Sequence, residues 1–401
     1  MKILFLCVGE RHQLFHSLPI AAEMQAAHPE LDVQIALACT DHLPLVRQVI
    51  DAYPGFSPPI RHLPLPAAIR GLRRLGLLKG QQRTIRLLAA LAYLRRFDAI
   101  VVPERTTTKM RHLLGRKTRL IFTPHGAGDR AVTFDRRDRY FDFALVAGPK
   151  SERRMLDEGT IRPGAYAVTG YVKLDFMRRL KARRRLFDND RPTVLYAPHF
   201  RSSLSSWDGM ALPIIRAFAA QDRYNLIVAP HIRLFDNVAD GRKAAIEALA
   251  IPGKIIIDLD SERLVDMSYT CGADIYLGDV SSQVYEFLVE PRPCVFVNAH
   301  KTDWRCNPDY LFWTLGDVVD DPAAILPAID AAPAQHPLYV ERQRHVLADS
   351  IGDDFDGAAL RAANAVIEFL QARPVTTMRR QRGRRKERVA LRHSIASPSQ
   401  P

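Results

Sequence analysis

Two histidines close apolar runs in this chain of 401 residues, His125 at the end of RLIFTPH and His231 at the end of YNLIVAPH. An imidazole in such a place can act as a general base near neutral pH or, once protonated, as a cation facing a phosphate. Gly126 and Gly128 follow the first and would let the backbone approach a ligand closely, while Arg233 stands two residues beyond the second. A lone histidine at a strand end is more often structural than catalytic. Two of them, one in each half of the chain, point instead to a shared cleft. A third run, TVLYAPHFRSS, adds His199, Arg201, Ser202 and Ser203. Arg201 offers phosphate a bidentate fork that a lysine does not reproduce.

The stretch GDVSSQVYEFL, residues 278–288, has the form of a strand end, a small polar turn and a helix start. Ser281 and Ser282 would supply hydroxyls and free backbone N–H groups there, which together make a seat for an anion. Glu286, about one turn into the helix, would stand where a ribose or similar diol could meet it. The combination calls for a nucleotide diphosphate donor, with an ordinary serine cap on an ordinary helix as the alternative. At the first strand-to-helix turn, CVGERHQ carries Gly9, Glu10, Arg11 and His12 but lacks the Gly-x-Gly-x-x-Gly spacing of a dinucleotide site, which disfavours hydride chemistry. No Walker pattern, His-Glu-x-x-His or EF-hand loop is present in the sequence, so the spacing calls for no metal and no cofactor besides the donor itself.

The runs that must position these residues alternate with amphipathic ones. KILFLCV, VQIALA, DAIVVP, RLIFTPHG and FALVAG read as strands in the first half; TVLYAP, YNLIVAPH, KIIIDLD, YTCGADIYLGD and PCVFVN do so in the second. Helical patterns such as residues 14–27 and 210–221 lie between them. Strands alternating with helices imply a parallel sheet covered on both faces, and two such series imply an α/β chain of two doubly wound domains. The boundary is expected near Asp188, with residues 1–187 as one domain, 188–372 as the second and 373–401 as a disordered tail. The last helix, residues 357–371, is apolar at Leu360, Ala363, Val366, Ile367 and Leu370 and is expected to pack back onto the body.

The composition, 47% hydrophobic and 25% charged, is that of a globular protein. Of the formal charge of +13, roughly half sits in the tail, where eight basic residues between Arg379 and Arg392 are opposed only by Glu387. Such a tail would clamp anionic lipid headgroups or serve as a solvated extension. Nucleic acid is disfavoured, because no aromatic is interleaved with the arginines. Residues 69–96 mix leucines with Arg70, Arg73, Arg74, Arg83 and Arg86, a pattern suited to a membrane interface or to a surface helix pair. The apolar stretch at 85–94 is too short to cross a bilayer and the N-terminus shows no cleavage-site pattern, so the expected location is cytoplasmic and peripheral on the inner face of the cell membrane. Five scattered cysteines indicate neither a disulfide framework nor a zinc site.

TPHG at residues 123–126, YAPHFR at 196–201, APH at 229–231 and GDVSSQVYEFL followed by PRPCVFVN resemble the successive motifs of the CDP-glycerol glycerophosphotransferases of teichoic acid polymerisation. VTGYVKLD, residues 168–175, fits the interdomain position of that family, and the resemblance spans residues 121–298. It implies a GT-B architecture, two Rossmann-like domains facing across a cleft, an acceptor domain first and a nucleotide-donor domain second. It also implies catalytic roles for His125 and His231 and nucleotide binding by the second domain with Ser281 and Ser282 at the phosphates; Gly126, Arg201, Asp279 and Glu286 are the further candidates for donor contacts. The reaction would move glycerol phosphate from a CDP-activated donor to a hydroxyl of a cell-envelope polysaccharide or lipid-linked glycan. The family usually follows its His-Gly with Thr-Pro-Leu-Lys, where this chain has Ala127, Gly128, Asp129 and Arg130, which leaves the acceptor open. It commonly has Thr-Asp-Tyr-Ser-Ser where this chain has Gly278, Asp279, Val280, Ser281 and Ser282. QVYE before a proline-bearing apolar strand also resembles UDP-N-acetylglucosamine 2-epimerases and nucleotide-sugar glycosyltransferases of the same architecture, so a uridine donor stands beside a cytidine one. From a different class, the alternative is a non-catalytic, membrane-associated scaffold that keeps the fold.

Overall fold

The computed structural model describes residues 1–74, 81–126, 135–180, 185–236 and 238–372. The basic tail, the stretch Ala127 to Arg130 and part of the 69–96 segment lie outside the described residues.

Among the described residues, the apolar runs form two sheets. The first has seven parallel strands, β1 (Lys2–Cys7), β2 (Asp32–Leu37), β3 (Ile60–His62), β4 (Ala99–Val102), β5 (Arg119–Phe122), β6 (Phe143–Val146) and β7 (Tyr166–Val168), in the order β3-β2-β1-β4-β5-β6-β7. The second has six, β8 (Thr193–Ala197), β9 (Asn225–Val228), β10 (Ile255–Ile257), β11 (Ile275–Gly278), β12 (Cys294–Val297) and β13 (Asp317–Val319), in the order β10-β9-β8-β11-β12-β13. The central strands are apolar throughout because both faces are covered. In β1, Ile3, Phe5 and Cys7 enter one core while Leu4 and Leu6 enter the other. Strand order reverses between β1 and β4 in the first sheet and between β8 and β11 in the second, the crevices where α/β folds take their ligands.

Three details differ from the sequence reading. β3 and β13 are edge strands of three residues each, too short and too polar to announce themselves as apolar runs. The run YTCGADIYLGD is only partly strand, since Ser268–Gly272 is a short helix and β11 begins at Ile275. In the last helix, Ala358–Gln371, Leu360 is 38% exposed, and the buried stripe runs instead through Ala358, Ala359, Ala362, Ala363, Val366 and Ile367. Small residues on that stripe let the helix approach the helix Leu18–Ala27 closely.

That last helix rests on the first sheet although it follows the second. Phe369 stacks on Phe143 of β6 with ring centroids 4.5 Å apart. The carboxylate of Asp175 accepts from the backbone N–H of Gly357 at 3.0 Å and of Ala359 at 2.9 Å, satisfying donors that a helix start leaves free. The chain crosses between the sheets from β7 to β8 and returns at its last described helix, so two connections set the sheets against each other. In the basic segment, Leu87 and Leu94 are fully buried in the first domain, whereas Leu88 is 47% exposed. No helix among the described residues is long and apolar enough to cross a membrane.

Candidate active site

The C-terminal edges of the two sheets face each other across a cavity of about 400 Å³. Loops after β1, β4, β5, β8, β9 and β11 all reach it, because in a parallel sheet every strand ends at the same edge. His125 arrives from the loop after β5 and His231 from the loop after β9, so the two expected imidazoles meet in one cavity from opposite domains. Gly126 has a φ of +92°, a left-handed conformation that favours glycine, and a Cβ placed there would stand 3.6 Å from the Ser282 hydroxyl. The His-Gly turn and the serine pair therefore confront each other directly. Ser281 and Ser282 both line the cavity, the first buried and the second exposed.

The hydrogen bonds of the imidazoles differ in sense. His125 Nδ1 lies 2.8 Å from the carbonyl oxygen of Pro103. A carbonyl only accepts, so Nδ1 carries the hydrogen and Nε2 keeps the lone pair. The Gln13 amide nitrogen stands 3.2 Å from Nδ1 and 3.1 Å from Nε2, on the ring edge between them. His231 shows the reverse: its Nδ1 accepts from the backbone N–H of Arg233 at 3.2 Å, leaving the hydrogen on Nε2. His199 repeats this arrangement through the N–H of Arg201 at 3.1 Å, as the matching sequences Ala-Pro-His-Phe-Arg and Ala-Pro-His-Ile-Arg require. One imidazole is thus set as an acceptor and two as donors. Burial pushes both His125 and His231 down to about 4 from the ordinary 6.5, with Arg233 adding to the effect on His231. Both are therefore neutral at physiological pH.

Other expected donor contacts take different positions. Arg201 is exposed, its guanidinium 5.7 Å from the Phe200 ring and outside the cavity lining; only its backbone serves the site, through His199. Arg233 lines the cavity in its stead, 4.4 Å over the same ring. Asp279 is turned away from the cavity and is 1% exposed. Its carboxylate accepts from the N–H groups of His199, Ser206 and Val280 and from the Ser206 hydroxyl, at 2.6 to 3.1 Å, pinning the loop after β8 to the end of β11. A strand-end aspartate beside small residues reads from sequence as a ligand contact, but here the nearby backbone donors claim it. Glu286 lines the cavity, and its Oε1 accepts from Lys173 Nζ at 2.7 Å and from the Tyr171 hydroxyl at 3.0 Å. The helix after the serines, Gln283–Phe287, has only five residues, so an anion held at this turn would meet serine hydroxyls and loop N–H groups more than a helix dipole.

Several cavity residues were given no place at the site by the sequence. His12, Gln13 and His16 come from the 3-10 turn Arg11–His16 after β1, and the signal was there in the polar residues of ERHQLFH at the first strand end. Lys173 and Tyr171 follow β7, and Arg83 reaches in from the helix Gln82–Ala89, paired with Glu10. Arg105, beside His125, is held by Asp138 through bonds of 2.6 and 2.9 Å.

The sequence profile of the family described as CDP-Glycerol:Poly(glycerophosphate) glycerophosphotransferase matches residues 95–367. The chain belongs to this family. As a glycerophosphotransferase-type transferase, it holds His125, His199, His231 and the serine pair inside the matched span, while the turn bearing His12 precedes it. No curated protein matches the chain by sequence. Among solved structures, the wall teichoic acid polymerase TagF is similar at 13% identity with a TM-score of 0.60, over 92% of this chain and 88% of that one. A UDP-GlcNAc 2-epimerase from Neisseria meningitidis, bound to UDP-GlcNAc, matches at 13% identity and TM-score 0.59, over 92% and 100% of the chains. Another from Methanocaldococcus jannaschii matches at 14% and 0.60, over 92% and 99%. These likenesses show the GT-B fold of this glycerophosphotransferase; the family profile sets its reaction class.

Proposed function

We propose that this chain transfers glycerol phosphate, or a closely related group, from a CDP-activated donor to a hydroxyl of a cell-envelope glycan or lipid-linked acceptor. The observation that carries the reading is the opposed hydrogen bonding of His125 and His231 across one cavity. His125 Nε2 takes the proton of the acceptor hydroxyl as the acceptor oxygen bonds to phosphorus. The bond from phosphorus to the bridging oxygen breaks, and CMP departs with the electron pair. His231 donates from Nε2 to the transferring phosphoryl group, Arg233 offsets its charge, and Ser281, Ser282 and Gly126 hold the nucleotide phosphates. Glu286, with Oε1 held by Lys173 and Tyr171, offers Oε2 to the ribose. Imidazole, arginine and hydroxyl donors supply the charge balance in this reading, with no metal or further cofactor. The exposed Leu88 and the basic residues around it, together with the tail, would set the protein against an anionic lipid surface.

An epimerase requires a carboxylate free to abstract a proton, whereas among the described residues the carboxylates that line the cavity, Glu10 and Glu286, are paired with Arg83 and Lys173. The test is CMP release from CDP-glycerol with a glycan or glycerophosphate acceptor, alongside thermal shift against CMP, CDP, UMP and UDP. Acceptor-dependent CMP release supports the reading. Stabilisation by uridine nucleotides alone, with no CMP release, overturns it.

A further inference from the structure

His12 stands in the cavity yet lies outside the span that the family profile matches. Its ring sits edge-on between the two facing imidazoles: centroids are 5.4 Å from His125 with planes 62° apart, and 6.1 Å from His231 with planes 72° apart. His125, His199 and His231 each have Nδ1 committed to the backbone. His12 does not. Its Nδ1 is sealed from solvent without a partner, and Nε2, which has no hydrogen-bond partner among the described residues, is the nitrogen left to the cavity. An N–H buried without an acceptor is rarer and costlier than a bare lone pair, so the hydrogen belongs on Nε2. Burial, the neighbouring imidazoles and Lys173 keep the ring neutral. The result is an uncharged donor aimed at the space between the base and the opposing donor.

We propose that His12 is a third substrate-contacting imidazole, donating from Nε2 to a non-bridging oxygen of the phosphoryl group in transit. The inference rests on the transfer reaction proposed above. A phosphorus atom attacked by a hydroxyl at His125 and bonded through its oxygens to His231 lies against the His12 ring, because that ring is the wall between them. No bond of His12 forms or breaks during transfer. Its hydrogen bond strengthens as charge spreads over the equatorial oxygens, and a donor fixed beforehand in a shielded cavity needs no reorganisation at that moment.

Two variants of the full chain separate this role from packing. H12F keeps a ring in the gap but removes the N–H, and H12Q places an amide N–H near the position of Nε2. In CMP release from CDP-glycerol, H12F is expected to lose roughly 10²-fold in kcat with the donor KM within about threefold, and H12Q to recover roughly tenfold of that loss. Melting temperature and calorimetric CMP affinity verify that each variant is folded. A folded H12F with kcat within about threefold of the wild type, or an H12Q no faster than H12F, overturns the proposal. A wild-type chain that releases no CMP overturns the transfer reading itself and this inference with it, so the two failures are told apart.

Discussion

Lys173 Nζ lies 2.7 Å from Glu286 Oε1, and both side chains are less than a tenth exposed. Lys173 belongs to the helix Val172–Arg179 after β7 and Glu286 to the helix after β11, so a buried ion pair ties one domain to the other at the wall of the cavity. Removing one member leaves the other charged, buried and unpaired. Lys173→Met is expected to cost about 3–5 kcal/mol of stability, and the double change Lys173→Met with Glu286→Leu to recover much of it. Urea unfolding of the single and double variants checks this; losses that simply add would show that the two charges do not interact.

His125→Ala should lower kcat by about 10²- to 10⁴-fold while leaving CMP affinity near the wild-type value, because the imidazole meets the acceptor hydroxyl and not the nucleotide. Steady-state CMP release and isothermal calorimetry read the two quantities separately. Wild-type turnover in this variant would remove His125 from the reaction.

Activity should persist at unusually acidic pH. The base must be neutral in the free enzyme, and burial pushes His125 down to about 4, so the acid limb of kcat/KM is expected near pH 4 and not near the ordinary 6.5. A limb at 6 to 7 would mean that a different group accepts the proton.

Stability should fall as the solution is acidified from about pH 6.5 toward 4. His12, His16, His42, His125 and His231 all have folded values below the ordinary one, so over this window the unfolded chain binds more protons and unfolding is favoured as pH drops. Asp279, raised by burial to about 6, and Glu23, Asp138 and Asp236, also raised by burial, act in the opposite sense, losing stability as pH rises from their ordinary to their folded values, but these four are outnumbered by the five imidazoles. Melting temperatures across the window should therefore rise with pH, and a flat or falling profile would contradict the buried, neutral histidine cluster.

Asp279→Ala separates scaffold from ligand contact. Its carboxylate serves three backbone N–H groups and a hydroxyl, so removing it should destabilise the fold by several kcal/mol, on the order of 1–3 for each donor left unsatisfied. Weakened nucleotide binding with an unchanged melting temperature would instead return Asp279 to the donor site.

How much of this was legible beforehand depends on what each residue type signals by itself. The central strands declared themselves because a strand covered on both faces must be apolar throughout, while β3 and β13, three residues each at sheet edges, carried no such run. His125, His231 and the serine pair could be found because strand ends on one edge of a parallel sheet share a location, whatever the loops contain. Arg201 and Asp279 follow the same rule in sequence yet leave the cavity. A side chain's direction depends on which neighbours satisfy it, and for Asp279 those are the backbone of His199 and Ser206, far away in the chain.

The sequence by itself determined two parallel α/β sheets, the strand ends that supply the chemistry and the family to which the chain belongs. Periodicity and local motif are short-range properties, and they survive without knowledge of packing. Only the tertiary structure decided that His12 stands between His125 and His231, that Lys173 closes on Glu286 and that the last helix returns to the first sheet. Each of these joins residues about a hundred or more positions apart, and such contacts are selected by how the faces of helices and sheets fit together, a matter on which neighbouring residues in the chain are silent.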